Sequence, residues 1–513
     1  MNKRSRRTKF KEYNPGQMSL LPPSLEELIP ADHVVRIVDH VIDRIKLDPL
    51  VKKYPGGGAS SYHPRMMLKI LVYAYLCNTY QSRKIEAAVQ SDIHYMWLAG
   101  MQRPDHNTIN RFRSERLKGV LKEVFSQVVE LLAEQGVLDI KKMYVDGTKL
   151  EANANRYTFV WGNSIKYNKE RIQKQIKELL EYAEEVTKED LMDSAPGEIT
   201  QINADKVSQI IDQINTSLEG KEVDKKIKNK LKRVKKSWPK NLEKYKKQED
   251  ILGDRKSYSK TDPDATFMRT KDDHFKNGQL KPCYNWQIST SDQYITNYGI
   301  YANPTDTLTL PSHLNEFKDM YGFSPEVVVA DAGYGSDENY SYMEEQNIEA
   351  YVKYNFFHKE HKAKIKPKEV FQAQYLYYDE DEDYMICPMG QKMVRIDERQ
   401  VETKSGHIKK IGVYEAQNCE GCPLRGVCNK QEGNRKINLN YRYRKLKNRA
   451  RERLLSKQGV QYRSQRCVDV EPVFGNIKQN KNFTRFLTRG KENVLIEVGL
   501  LSIAHNLGKF AKN

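Results

Sequence analysis

Apolar positions recur every three to four residues through most of the first 140 residues. Val34, Ile37, Val38, Val41, Ile42 and Ile45 fall on one face of a helix that Asp32 can cap. Gly56-Gly57-Gly58 then reads as a flexible break, and Pro64 suits the first turn of a long apolar helix through Leu76. Ser82 can cap a short helix from Arg83 to Val89, and Asp92 another reaching Leu98. Gly100 and Pro104 mark a turn. Asp105 opens a segment in which Ile109 and Phe112 are apolar while Asn107, Asn110, Arg111 and Arg113 face elsewhere. Val120 to Leu132 is a further amphipathic helix, ended by Gly136.

The period then changes. Lys142 to Thr148 predicts a strand with Asp146 at its exit, and Pro325 to Asp331 is the most strand-like run in the chain. Tyr284–Ile288 and Tyr294–Tyr301 predict two strands around a polar turn at Ser291-Asp292. Leu308 to Met320 predicts a helix, Ser336 the cap of another, and Glu349 to Tyr354 a strand. Between the first two blocks, residues 165 to 247 return to a helical and very charged pattern. Ile172, Ile176, Leu179 and Leu180 form one stripe, and Ile210, Ile211, Ile214 and Leu218 another. This predicts an inserted helical hairpin with a basic second arm, broken at Pro239. A low-periodicity stretch runs to about Leu439, and residues 446 to 510 are helical and basic.

At 513 residues the chain is too long for one ordinary core. No apolar run approaches a membrane span; the best, Met66 to Cys77, is cut by Lys69. The basic segment from Met1 to Tyr13 lacks the apolar stretch of a signal peptide. No membrane partner and a cytoplasmic location are expected. The net charge of +18 is concentrated. Lys221 to Lys260 holds 16 basic against 6 acidic residues, and Arg435 to Arg489 holds 16 against 3. Such stripes suit a polyanion, although a solvated helical face or an anionic membrane surface would look alike. Short helices ending in an Asn- and Arg-rich one resemble a helix-turn-helix reader. Asn107, Asn110, Arg111 and Arg113 are then candidate DNA contacts, because Asn and Arg bond base edges bidentately. A polar helix closing a small bundle would give the same pattern.

Two constellations carry chemistry. Asp146 and Asp331 each stand at a strand end, and Glu471 lies in Val470-Glu471-Pro472-Val473-Phe474-Gly475-Asn476-Ile477-Lys478. On a helix Lys478 is two turns from Glu471, on the same face. Three converging carboxylates repel unless Mg²⁺ or Mn²⁺ joins them, and two such ions can drive an in-line phosphoryl displacement. An Asp after a strand is also a common turn residue or cap. Asp264, Asp306 and Asp337 are rivals for the second acid, and Asp469 and Glu497 for the third. The second constellation is Cys387, Cys419, Cys422 and Cys428, four thiols that suit a structural Zn²⁺, with uncoordinated thiols the plain alternative. Cys77, Cys283 and Cys467 are expected to be ordinary buried residues.

At these residues the chain resembles the DDE transposases of bacterial insertion sequences, in particular the group numbered eleven-eighty-two, over nearly its whole length. Ser61-Tyr62-His63-Pro64, Ser82-Arg83-Lys84-Ile85-Glu86 and Pro104-Asp105-His106-Asn107-Thr108-Ile109-Asn110-Arg111-Phe112-Arg113 are similar to that family's amino-terminal domain. Tyr144-Val145-Asp146-Gly147-Thr148-Lys149-Leu150-Glu151-Ala152-Asn153-Ala154-Asn155 resembles the block around its first catalytic Asp. Val329-Ala330-Asp331-Ala332-Gly333-Tyr334 resembles the second, and the Val470 to Lys478 block the Glu. The cysteine region and Ala504-His505-Asn506-Leu507 also look familiar.

The resemblance implies a ribonuclease-H-like α/β core, a mixed sheet flanked by helices. Asp146 would sit on its first strand, Asp331 just after the fourth and Glu471 on a later helix. It implies a helical DNA-binding domain over 1–138, and core segments over 139–160, 261–355 and 441–513. The charged helical insertion would cover 161–260, and the cysteine-rich metal-binding insertion 356–440. Asp146, Asp331 and Glu471 would be the catalytic acids and hold the metals; Lys478 would contact a phosphate. The family also places a Tyr seven and an Arg four residues before the Glu, where this chain has Ser464 and Cys467. Arg466 would point about 140° away from Glu471 on a continuous helix. Either the helix starts later or Arg463 takes the phosphate-gripping role. The implied activity is metal-dependent cleavage at terminal inverted repeats of double-stranded DNA, followed by strand transfer to target DNA. A homodimer or larger assembly would pair two ends. The competing readings are a catalytically silent DNA-binding descendant and a stand-alone nuclease.

Overall fold

The N-terminal periodicities fold into a helical layer. In the computed structural model, which describes residues 24–54, 60–188, 203–270, 278–362, 371–403 and 405–512, this layer comprises α1 (Leu25–Leu28), α2 (Val34–Arg44), α3 (Asp48–Val51), α4 (Pro64–Leu76), α5 (Ser82–Ser91), α6 (Ile93–Leu98), α7 (His106–Arg111) and α8 (Leu121–Glu134). α4 is buried nearly all round because it is apolar on nearly every face. Asp92 caps α6 by accepting from the His94 N–H at 2.9 Å, and Asp105 caps α7 by accepting from the Thr108 N–H at 2.7 Å. Two expected caps shift by one residue. His33, not Asp32, precedes α2 and accepts from the Val35 N–H. Ser82 is already helical, with Gln81 before it. The expected break at Gly56-Gly57-Gly58 lies outside the described residues.

The main sheet begins with β1 (Lys142–Glu151). β1 does not end at Thr148 as expected but runs three residues further, held by antiparallel pairing as far as Glu151 with Cys283, which leaves Asp146 in mid-strand and not at its exit. Next come β2 (Phe159–Trp161) and, about a hundred residues later, β3 (Ser257–Ser259), which pair with each other. Between them lie α9 (Gly162–Thr187), α10 (Ala204–Ser217) and α11 (Lys225–Leu252), three helices and not the expected hairpin. They share a separate core that includes Ile176, Leu180, Ile211, Val234 and Trp238. Pro239 does not break α11. Trp238 and Leu242 are buried on either side of it, and packing offsets the lost N–H.

The sheet resumes with β4 (Thr266–Arg269), β5 (Leu280–Ser291), β6 (Tyr294–Tyr301), β7 (Val327–Ala330) and β8 (Glu349–Val352). Its path is β6-β5-β1-β7-β8, with β4 beside the start of β5. β1 is antiparallel to β5 and parallel to β7, which is parallel to β8. β5 and β6 meet at Asp292 and Gln293, both at positive φ, the conformation of a tight two-residue hairpin. α12 (Leu310–Tyr321), α13 (Asp337–Glu345) and α14 (Phe357–Lys362) intervene among or follow these strands.

The cysteine-bearing stretch is a second sheet, which its weak periodicity did not suggest. β9 (Tyr378–Asp379), β10 (Tyr384–Ile386), β11 (Lys392–Glu402), β12 (Ile408–Ala416) and β13 (Lys436–Leu439) form an antiparallel sheet in the order β13-β12-β11-β10-β9. The chain then returns to the main sheet as α15 (Tyr441–Leu455), α16 (Lys457–Asp469), α17 (Glu471–Gly475) and α18 (Lys491–Phe510). α18 clasps the β5–β6 hairpin. The Asn506 amide accepts from the Ile295 N–H and donates to its carbonyl, both at 2.8 Å. No described helix is long and apolar enough to cross a membrane.

Candidate functional site

Strand register brings two of the predicted acids together. β1 pairs in parallel with β7, Tyr144 opposite Val329. Two residues further along each chain stand Asp146, in mid-strand, and Asp331, one residue past the end of β7. Side chains alternate along a strand, so Asp146 shares its face with Tyr144 and Thr148. The neighbouring backbone steadies each carboxylate. The Gly147 N–H donates to Asp146 Oδ1 and the Gly333 N–H to Asp331 Oδ1, each at 2.8 Å.

A buried arginine joins the pair. Arg466 Nη2 lies 3.2 Å from Asp146 Oδ1 and 3.8 Å from Asp331 Oδ2. Its side chain is 7% exposed, against 16% for Asp146 and 44% for Asp331. The buried Arg466 Nε has no hydrogen-bond partner among the described residues. Arg466 thus pairs with the two aspartates and not with Glu471. α16 carries it inward onto the acids, while Glu471, five residues later at the start of α17, is exposed. Arg463, the expected substitute, instead sits over the Phe357 ring at 5.2 Å and donates from Nε to the Gly459 carbonyl. Lys478 reaches the same sheet face and donates from Nζ to Thr148 Oγ1 at 2.7 Å. A π-helical turn, Asn476–Asn480, carries it there.

A polar layer lies beside the acids. Gln287 packs closely on β1: a Cβ on Gly147 would fall 2.1 Å from its Nε2, so a side chain there would push the Gln287 amide from its place. Gln287 Nε2 and Asn285 Nδ2 each donate to Asp306 Oδ1 at 2.8 Å. The Tyr334 hydroxyl donates to Gln287 Oε1. Burial holds that hydroxyl well above its ordinary range, and the charges of Asp306, Asp146 and Asp331 push it further. Asp306 therefore belongs to the same neighbourhood. A Cβ on Gly333 would lie 3.0 Å from Asp331 Oδ1 and 3.6 Å from Asp306 Oδ2.

The other rival acids serve the fold. Asp264 Oδ2 accepts from the Lys491 N–H at the start of α18. Asp337 accepts from Asn440 and faces His407. Asp469 accepts from Thr290 Oγ1 and the Gln293 N–H, tying α16 to the hairpin. Glu497 accepts from the backbone of Leu487 and Thr488. Burial raises both Asp469 and Glu497 above the usual carboxylate range.

The expected DNA-reading helix divides. Asn107, Asn110 and Arg111 are exposed on and beside α7. Arg113 is corrected. It is 6% exposed and donates to the Tyr80 carbonyl, the Tyr75 hydroxyl and Asn110 Oδ1, so its guanidinium is engaged within the fold.

Among the described residues, no three His, Cys, Asp or Glu side chains stand close enough together to hold a metal ion. Glu471 does not join Asp146 and Asp331 in such a group, and the four cysteines do not form a finished cage. The donors nevertheless suit the ions named for them. Two adjacent carboxylates are the usual protein share of a Mg²⁺ site, the remainder coming from substrate phosphate and water. The guanidinium between them marks a place for positive charge. In the small sheet, backbone N–H groups of Met389 and Gln391 point at Cys387 Sγ, at 3.4 and 3.3 Å, and that of Arg435 at Cys419 Sγ, at 3.4 Å. Sulfurs that accept backbone N–H donors in this way are a usual setting for zinc ligation. Burial raises the Cys428 thiol, with Cys387 and Cys419 adding to that rise, while Arg435, donating to Cys428 Sγ at 2.9 Å, lowers it. Of the other cysteines only Cys283 is buried; Cys77 and Cys467 are exposed, against expectation.

Sequence reasoning ranked Asp306 only as a rival, and did not single out Thr148 or Gln287. Alternation from Asp146 would have found Thr148. Gln287 and Asp306 depend on strand pairing that no local pattern reveals.

Two segments match known families. Residues 386–511 match the model described as Transposase DDE domain, and residues 23–115 match Transposase domain (DUF772). Together they support a DDE transposase of insertion-sequence type. Glu471, Arg466 and Lys478 lie inside the first match; Asp146 and Asp331 lie between the two. No curated protein and no solved structure matches the chain.

Proposed function

We propose that this chain is a transposase that binds the terminal inverted repeats of an insertion sequence, cuts the DNA there and transfers the freed strand to target DNA. The observation that carries the proposal is the register that sets Asp146 and Asp331 side by side on parallel strands beneath Arg466. The two transposase matches supply the reaction class. The strand path β6-β5-β1-β7-β8, antiparallel across β5 and parallel from β1 to β8, supports a ribonuclease-H-like core. The specific group numbered eleven-eighty-two rests on the quoted sequence blocks.

In this reading Asp146 and Asp331 hold the divalent cation, Mg²⁺ or Mn²⁺, and Glu471 supplies the third acid. Two such ions, held there, would supply activation of the attacking oxygen and stabilisation of the leaving one. Lys478 is seated on Thr148, two residues from Asp146, within reach of a phosphate bound on the same face. Arg466 balances the charge of the two aspartates. Asn107, Asn110 and Arg111 contact DNA from the helical layer. Zn²⁺ on Cys387, Cys419, Cys422 and Cys428 staples the small sheet. The active form is a homodimer or larger, bound to two DNA ends in the cytoplasm.

A second assignment of the third acid has geometry behind it: Asp306 approaches Asp331 across Gly333, whereas Glu471 is exposed. Cleavage of end-containing DNA with Mg²⁺ or Mn²⁺ decides between them. Asp146→Ala and Asp331→Ala are expected to abolish cutting while DNA binding stays nearly intact. Glu471→Ala does the same if Glu471 is the third acid; normal cutting by Glu471→Ala with loss in Asp306→Ala reverses the assignment. Wild-type protein that binds but never cuts makes it a silent descendant. Cutting without strand joining makes it a nuclease.

A further inference from the structure

We propose that the outward face of α11 is a sequence-independent seat for the phosphate backbone of duplex DNA; the inference rests on the transposase reading. α11 spans 28 residues, roughly 42 Å at 1.5 Å per residue. Leu231, Val234, Trp238 and Leu242 turn one side into the bundle core. The opposite side is almost entirely cationic. The helix carries 12 Lys or Arg against 3 Asp or Glu, and the acids all fall after Pro239. Lys225, Lys226, Lys228, Lys232, Arg233, Lys235, Lys236 and Lys240 are exposed along the first part.

The neighbouring helices show what mere solvation requires. α9 carries 5 basic and 5 acidic residues, and α10 carries 1 and 2. The three helices share one core and one need for a wetted exterior, yet only α11 is polarised. The polarisation also costs stability. Lys228, Lys232, Lys236 and Lys240 follow one another at i,i+4, where like charges repel. Two lysines of the helix reach an acid on a neighbour: Lys230 lies 3.9 Å from Glu178 and Lys235 lies 2.6 Å from Asp212. A row that repels itself is stabilised by a polyanion laid along it. Lys228 to Lys240 covers about 18 Å, roughly five base steps at 3.4 Å per step on one strand. Lysine is a point charge without the planar fork that reads base edges, so the row fits phosphates better than sequence.

The test compares full-length wild type with the fourfold variant Lys228→Gln, Lys232→Gln, Lys236→Gln and Lys240→Gln, binding a short duplex of arbitrary sequence across a salt series. The slope of log affinity against log salt is expected to shrink by about 2 to 4, at about 0.9 per lost phosphate contact. Affinity near physiological salt should fall about 10- to 100-fold. The preference for element-end DNA over arbitrary DNA should not change, nor should the thermal melt fall. A second fourfold variant, Lys166→Gln, Arg171→Gln, Lys174→Gln and Lys177→Gln on α9, removes the same charge and should leave most of the slope. An unchanged slope in the α11 variant, or equal losses in both variants, overturns the inference while the transposase reading stands. A wild type that binds no duplex at any salt overturns both.

Discussion

The two groups of candidate metal ligands are built in contrasting ways, although an arginine reaches into each. Asp146 and Asp331 stand on parallel strands of the main sheet, and their spacing follows from strand register. Arg466 reaches them from a buried position on α16. The cysteines sit in turns of a small sheet whose longest strand, β11, is exposed along most of its length. There Arg435 touches Cys428 and also donates to the Phe371 carbonyl, so it is fixed without the thiols. The carboxylates are thus prepositioned by strand register and already paired with Arg466, whereas the thiols stand in turns whose spacing no strand register fixes. In the first group the fold makes the site. In the second the sheet has its own apolar core, around Met385, Met393 and Tyr414, and a bound ion would tie together its turns.

The sharpest way to break this comparison is to remove charge from the acid pair. Asp146→Asn and Asp331→Asn are expected to reduce cleavage of end DNA to background, read on gels with Mn²⁺, while gel shifts remain. Next comes Arg466→Met. Urea unfolding without divalent ions should show a loss of about 3 kcal/mol, the low end for breaking a buried ion pair, since Asp331 is 44% exposed. Added Mn²⁺ should then raise the melting temperature of this variant more than that of wild type. An equal rise in both would mean that Arg466 does not compete for the cation's place.

The thiol group is probed by Cys422→Ser, which should lose zinc by elemental analysis and lower the melting of the small sheet while cutting of short duplexes persists. Zinc that is absent from wild type, or unchanged in the variant, refutes the staple.

The smallest expected effect comes from His505, a buried base with no carboxylate beside it. Burial lowers it from 6.5 to about 4, and its neutral form accepts from Asn476 and donates to the Gln293 carbonyl. Between about pH 6.5 and 4 the unfolded chain takes a proton that the folded chain refuses. Stability therefore falls as pH falls through that window. The raised carboxyls of Asp469 and Glu497 act in the opposite sense. The measurement is accordingly a difference: His505→Gln should show a shallower acid-side loss in urea titrations than wild type.

Much of this was legible where one element explains itself. α4 could be read from the apolar run that follows Pro64, α7 from Asp105 and the spacing of Ile109 and Phe112, and β7 from its Val-Val-Val run before Asp331. β1 extends beyond its legible Lys142–Thr148 run because Lys149, Leu150 and Glu151 take their place only through pairing with β5. The small sheet is not legible because β11 faces solvent along most of its length and β12 does so at its start, leaving no sustained alternation to detect. Arg466 was doubted because its direction was measured from Glu471 along an ideal helix. Its burial is fixed instead by the acids it reaches across the sheet. Residue type and local period carry such a reading well, and what is lost is contact between segments far apart in the chain.

The β2–β3 pair has one more implication. Trp161 lies opposite Ser257, so the chain departs on its long excursion and comes back at almost the same point. A doorway that narrow lets the excursion lengthen, shrink or vanish without disturbing the strands beyond it. Joining residue 161 to residue 257 through a short turn should therefore leave a protein that still folds, its grip on nucleic acid loosened and its scissors intact.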